Sequence, residues 1–266
     1  MQFHKSGDAV FHYQVVSAAP ERPALVFINA LGTDFRIWRD VIVRLVGQFS
    51  LLTYDMRGFG LSELGEGAMT IERHAADLAA IMDAAGVEQA FVCGLSAGGQ
   101  VAQQLAFDRP DRVRGLVLAG TLPKIADSAF WDARIAVLEQ KGLEAVADSV
   151  VPRWFTEAFK AEQPEAYRGY RTMLARQPLA GYIALCEAVR DFDATDRASG
   201  LSTPTICIAG AEDKVTTPAA ITDFARAIPR ARLEIVPKAA HMLPVEQPET
   251  LSDIITAFAD IVLREG

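Results

Sequence analysis

Between residues 24 and 120 the chain alternates short, nearly continuous apolar runs with longer stretches in which apolar residues return every three or four positions. "ALVFIN" (24–29), "SLLTYD" (50–55), "AFVCG" (90–94) and "GLVLAG" (115–120) have the character of strands covered on both faces. "FHYQVV" (11–16) instead alternates, as a half-solvated edge strand does. Helical periodicity occupies residues 36–47, 71–85 and 98–108, the last stopped by Pro110. Strand and helix in succession predict βαβ units, hence a mostly parallel sheet with helices on both faces.

The rhythm breaks after residue 121. From Leu122 to Ser199 no strand pattern occurs, only helical segments separated by turn signals: "AFWDARIAVLEQKG", "LEAVADSVVPRWF", "PEAYRGYRTMLARQP" and "GYIALCEAVRDF". It resumes with "TPTICIAG" (203–210), a helix near 218–227, "ARLEIVP" (231–237) and a C-terminal helix over 248–264. A helical block placed late between two strands of a parallel sheet reads as a lid. The expected organisation is a core of residues 1–121 and 200–266 with a helical lid over 122–199.

Composition narrows the function classes. A chain of 266 residues with 50% hydrophobic and 23% charged content suits a globular protein with a sizeable core. A formal charge of −8 argues against nucleic acid or an anionic membrane as partner. The N-terminus lacks a basic region followed by an apolar one, and no apolar run approaches the roughly 18–20 residues of a membrane span. Cys93, Cys186 and Cys207 form an odd set without C-x-x-C spacing. Buried thiols in a cytoplasmic protein are expected.

The tripeptide Gly-Leu-Ser occurs three times, and only one copy carries a chemical motif. Gly60-Leu61-Ser62 runs into Glu63-Leu64 and Gly200-Leu201-Ser202 into Thr203-Pro204. Gly94-Leu95-Ser96-Ala97-Gly98 alone completes G-x-S-x-G, between a strand pattern and a helix pattern. In that strand-to-helix turn the serine takes a strained conformation, and a glycine two residues to either side lets neighbouring backbone pass. Ser96 is therefore the candidate nucleophile.

A serine hydroxyl needs a base. Of four histidines, His4 and His12 fall in the N-terminal hairpin and His74 in a helix pattern, where surface or satisfied roles are expected. His241, in "PKAAHMLPVEQPE", lies between the last strand and the last helix, where a loop can carry imidazole over the sheet edge. For the acid, Asp213 in "ICIAGAEDKVTTP" follows a buried strand; Glu212 and Asp127 are its rivals. The acid holds the imidazole tautomer and stabilises imidazolium. One oxyanion donor is expected from the amide of Ala97, next to the nucleophile.

Together the order Ser96, Asp213, His241, the elbow "CGLSAGG" and the loop "YDMRGFGLSE" (54–63) resemble the α/β-hydrolase superfamily over nearly the whole chain. The resemblance implies a mostly parallel eight-stranded sheet flanked by helices, with an inserted helical lid. It also implies Leu31 as the second oxyanion donor, because Asn29 and Ala30 fill the His-Gly places of that loop. Asp55 and Arg57 are read as structural. More narrowly, "NALGTDFRIW", "CGLSAGG", "FWDARI" and "PRWF" are similar to the 3-oxoadipate enol-lactonases. That similarity implies a hydrolase without cofactor or metal, acting on a small lactone with a carboxylate arm. A carboxylesterase, an acyl-homoserine lactonase, a carbon–carbon hydrolase and a non-catalytic receptor on this fold are the competing readings. An anionic substrate needs a cation, and the lid offers Arg134, one turn after Trp131, and Arg153, directly before Trp154. The two tryptophans are expected to line the pocket.

Overall fold

The computed structural model describes residues 1–265. Eight strands, β1 (Gln2–Ser6), β2 (Ala9–Val16), β3 (Ala24–Ile28), β4 (Ser50–Tyr54), β5 (Ala90–Leu95), β6 (Val113–Ala119), β7 (Thr205–Gly210) and β8 (Arg232–Val236), form one sheet. Their order is β1-β2-β4-β3-β5-β6-β7-β8. The pairs β1/β2 and β2/β4 are antiparallel. The remaining pairs are parallel, with Ile28 opposite Gly94 and Gly94 opposite Leu118 in the centre. Strands β3 and β5 are buried almost throughout, as their continuous apolar runs require.

One expectation is corrected. The alternating segment 11–16 lies inside the sheet, and β1, folded back through Gly7 at φ +58°, is the edge. Side-chain alternation reports which face is covered, and Gln14 is exposed; edge position depends on backbone pairing, which alternation does not encode.

The helices are α1 (Arg39–Leu45), α2 (Ile71–Ala84), α3 (Ala97–Asp108), α4 (Ser128–Trp154), α5 (Glu157–Glu162), α6 (Pro164–Ala175), α7 (Leu179–Asp191), α8 (Pro218–Ala227), α9 (Leu243–Glu246) and α10 (Pro248–Glu265). Side-chain oxygens cap several starts: Thr70 accepts from the Arg73 amide at 3.1 Å and Asp127 from that of Phe130 at 2.8 Å. Helix α2 packs on α3, and α1 on α10. The helical block between β6 and β7 departs from the sequence reading in detail. Its first two segments, both within α4, are two helices that meet at a break where Gly142 takes φ +72° and ψ −176°, as the sequence divides them, but the short α5 lies outside the segments that the periodicity marks. Helices α6 and α7 both pack against α4. Among the described residues no helix is long and apolar enough to cross a membrane, and no group of three or more His, Cys, Asp or Glu could hold a metal ion.

Candidate active site

Ser96 stands between the end of β5 and the start of α3 with φ +56° and ψ −120°, in the left-handed half of conformational space that a serine rarely visits. Its neighbours hold it there. The Ser96 amide donates to the Ala119 carbonyl (3.0 Å), and the Ser96 carbonyl accepts from the Thr121 hydroxyl (2.7 Å) and the Gly99 amide (2.8 Å). The flanking glycines are required by close approach. A Cβ on Gly94 would run into the Gly98 carbonyl, and one on Gly98 would lie 2.5 Å from the Ile28 oxygen and 2.6 Å from that of Asn29. The turn is thus pressed against the backbone that leads out of β3.

That loop after β3 carries Leu31. Asn29 fixes its start, donating from Nδ2 to the Tyr54 carbonyl (2.8 Å) and accepting at Oδ1 from the Trp38 indole (3.0 Å). Leu31 and Ala97 both line the cavity on which Ser96 opens. Ala97 is the first residue of α3, so its amide has no acceptor within the helix. Its position at a helix N-terminus also favours negative charge.

The loops after β7 and β8 meet beside Ser96. His241 Nδ1 and Asp213 Oδ2 are 2.8 Å apart, with both side chains almost fully enclosed. Asp213 is a saturated acceptor: Oδ1 takes the amides of Val215 (2.6 Å) and Thr216 (3.1 Å), and Oδ2 also takes the Thr216 hydroxyl (2.8 Å). Burial works to raise the Asp213 pKa, but the charge and hydrogen bond of His241 with those donors outweigh it and hold the carboxyl below its usual range. Gly120, at φ +50°, leaves room for the ring: a Cβ there would lie 3.3 Å from His241 Nδ1. Of the rival acids, Glu212 is exposed beside Asp213, and Asp127 caps α4.

Ser96, His241, Leu31 and Ala97 line a cavity of about 230 Å³ together with residues of α4 and α7. The lining is mostly apolar, with Ile125, Phe130, Val150 and Val189 among it. All four residues singled out in the helical block reach it, but they are not equivalent. The Trp131 indole donates to the Ile125 carbonyl (2.6 Å), and Trp154 is buried. Arg153 spends one guanidinium nitrogen on the Lys214 carbonyl (2.7 Å). Arg134 lies over two rings, 4.7 Å from the centre of Phe130 and 5.2 Å from that of Trp131. Among the described residues it has no ion-pair partner, since neighbouring Asp132 pairs with Arg190 (2.9 Å).

Sequence reasoning missed Tyr182. It reaches the cavity from α7, where its buried hydroxyl lies near the Arg134 guanidinium. Burial pushes the phenol pKa up, and the nearby Arg134 cation partly offsets this. A helix periodicity marks Tyr182 as inward-facing but does not say what it faces. The other histidines stand apart: His12 is buried on Asp55 (2.8 Å) and His74 is buried, so neither is a surface residue, and His4 is half-buried in β1. Arg57 pairs with Asp77 (2.7 Å) and Asp8 (2.9 Å), and Asp55 also accepts the Phe35 and Leu61 amides, as structural residues do.

The likeness to known proteins extends over nearly the whole chain. A family profile described as the alpha/beta hydrolase fold matches residues 23–248. "3-oxoadipate enol-lactonase 2" of Acinetobacter baylyi is 33% identical over 250 residues, 94% of this chain and 93% of that protein. The crystal structure of the enol-lactonase from Burkholderia xenovorans LB400 superposes with a TM-score of 0.93 at 30% identity, covering 97% of this chain and all of that one. A thermophilic esterase from Thermogutta terrifontis, described with malate bound, gives a TM-score of 0.92 at 27% identity over 98% of this chain and 99% of that one.

Proposed function

The chain belongs to the α/β-hydrolase fold family, and from that premise we propose that it is a serine hydrolase opening a carboxylate-bearing enol-lactone, with 3-oxoadipate enol-lactone, hydrolysed to 3-oxoadipate, as the substrate. One observation carries the reading: a single, mostly apolar cavity is lined by Ser96, His241 and Arg134, the last without an ion-pair partner among the described residues. The names of the two enol-lactonases and the malate-bound esterase support a small carboxylate substrate. Residues 122–199 act as the lid over that cavity, and the three buried, unpaired cysteines suit a cytoplasmic enzyme.

In the proposed reaction Ser96 Oγ attacks the lactone carbonyl as His241 Nε2 takes its proton, and Asp213 stabilises the imidazolium through Nδ1. The Leu31 and Ala97 amides hold the tetrahedral oxyanion. Collapse breaks the ring C–O bond; the enolate leaves, takes the proton from His241 and tautomerises to the ketone. Water, deprotonated in turn by His241, attacks the acyl group and frees Ser96. The net change is lactone plus water to keto acid. An enolate is a better leaving group than an alkoxide, so ring opening needs less acid assistance. The substrate carboxylate meets Arg134, because leaving it desolvated and unpaired costs several kcal/mol.

The test is turnover of a panel comprising the enol-lactone, saturated lactones, acyl-homoserine lactones and p-nitrophenyl esters. The reading expects the anionic enol-lactone to have the highest kcat/KM. Preference for a neutral ester or an acyl-homoserine lactone would transfer the assignment to those activities.

A further inference from the structure

The segment that carries His241 is stitched to the helical block on both sides of the histidine. Before it, the Ala240 amide donates to Glu246 Oε2 (2.7 Å). After it, the Met242 amide donates to the carbonyl of Trp154 (2.9 Å), a residue that lines the cavity. Glu246 closes the loop: its Oε1 accepts both the amide and the hydroxyl of Thr156, each at 2.8 Å and 90 residues away in sequence. The same Thr156 hydroxyl caps α5 by accepting from the Phe159 amide (3.1 Å). We propose that Glu246 is a positioning residue that sets the alignment of the His241 imidazole and couples it to the docking of the helical block.

The chemistry of the carboxylate argues for a role beyond filling space. Three neutral donors hold it, two on the helical block and one on the histidine loop, so it is a bridge between two segments far apart in sequence. Burial raises its pKa, and Glu212, the other acid that acts on it, pushes the same way. Only well-placed donors keep an ionised group in such surroundings, and those donors sit one residue before His241 and two residues after Trp154. A shift of the α4–α5 junction therefore moves Ala240 and Met242 together, and with them the ring. Asp213 restrains the imidazole from the side chain, while Glu246 restrains it from the backbone. A substrate seated against Trp154 then sets the base through the same contacts.

The assignment rests on the Ser96–His241 reading, and the experiment keeps the two apart. Steady-state kinetics on whichever lactone or ester the wild type turns over would compare Glu246→Gln, Thr156→Ala and, as an exposed control paired with Lys160, Glu157→Gln. Glutamine keeps the size but sets an NH2 against at least one of the three donors. Positioning predicts a kcat loss of about 10–100-fold in Glu246→Gln and a smaller loss in Thr156→Ala, with KM within about threefold. The far-downfield proton resonance of His241 Nδ1 should shift or broaden in both, while Glu157→Gln matches wild type. A purely structural staple predicts a lower Tm or a raised KM with kcat and that resonance unchanged, which overturns the proposal. If Glu246→Gln does not fold, Thr156→Ala decides by the same two readouts. Turnover by Ser96→Ala would remove the nucleophile itself; an inert Ser96→Ala beside a fully active Glu246→Gln removes only this inference.

Discussion

His241 and Asp213, 28 residues apart in sequence, are joined by a 2.8 Å hydrogen bond from Nδ1 to Oδ2 that ties the loop after β8 to the loop after β7. Because three further donors saturate Asp213, the carboxylate has a fixed orientation, and in the proposed reaction it holds the imidazole so that Nε2 transfers the proton. Asp213→Asn should lower kcat by about 10³–10⁴-fold, since an amide NH2 facing Nδ1 selects the wrong tautomer. Kinetics with a Tm measured in parallel check this, and a folded variant with near-normal kcat would dismiss Asp213 as the acid.

Ser96→Ala and His241→Ala should each remove about 10⁴-fold or more in kcat, and the double variant should lose little beyond either single one, because the pair works as a unit. Labelling by a fluorophosphonate should disappear in Ser96→Ala. Independent, multiplicative losses would contradict a shared step.

Arg134 and Arg153 should separate on charge. Arg134→Met is expected to lose about 10²-fold in kcat/KM on the anionic lactone, in line with roughly 2–3 kcal/mol for a charged hydrogen bond, with little change on a neutral ester. Arg153→Met should lose less, since that guanidinium already serves the Lys214 carbonyl. Equal losses on both substrates would mean a disturbed lid instead of a missing anion anchor.

Two glycines predict opposite outcomes. Gly98→Ala forces a Cβ to 2.5 Å from a main-chain oxygen, so the elbow must open, with a large fall in Tm and in activity. A Cβ on Gly169, inside α6, would meet nothing within 4 Å, and Gly169→Ala should stabilise by about 0.5–1 kcal/mol through helix propensity. Thermal denaturation of the two variants checks both signs.

His74 should make stability fall on acidification. Burial, with help from the Arg57 and Arg73 charges, pushes its pKa from 6.5 down to about 3. Between those values the unfolded chain binds a proton that the folded protein refuses, so stability rises with pH throughout that window and is lost as pH drops through it. From pH 7 to pH 5 this group alone removes about 2 kcal/mol. Urea denaturation at the two pH values should show that difference shrinking by about this amount in His74→Met. An unchanged difference would assign the acid sensitivity elsewhere.

Features encoded by local pattern are legible along the chain before any folding is considered. Runs such as "ALVFIN" and "AFVCG" announce buried parallel strands because both faces must be apolar, and the helices that follow them announce the crossovers. The elbow motif is equally local: Gly94, Ser96 and Gly98 lie within five residues and the strain at Ser96 arises in that one turn, although Gly98 is also pressed against Ile28 and Asn29 at the distant end of β3. Tertiary structure alone decided whatever depends on distant segments meeting. Glu212 and Asp213 are adjacent acids, and the turn after β7 exposes one while enclosing the other against His241. Arg134 and Arg153 each adjoin a tryptophan in sequence, yet only the fold gives Arg153 the distant Lys214 carbonyl and places Arg134, stacked on its own helix neighbours Phe130 and Trp131, on the cavity. Neither Tyr182 nor Glu246 carries a local signature of what it meets, because their surroundings come from α4, the β8–α9 loop and other segments tens of residues away. Periodicity fixes which side of an element is buried; which partner is buried against it is set by the non-local packing of the chain.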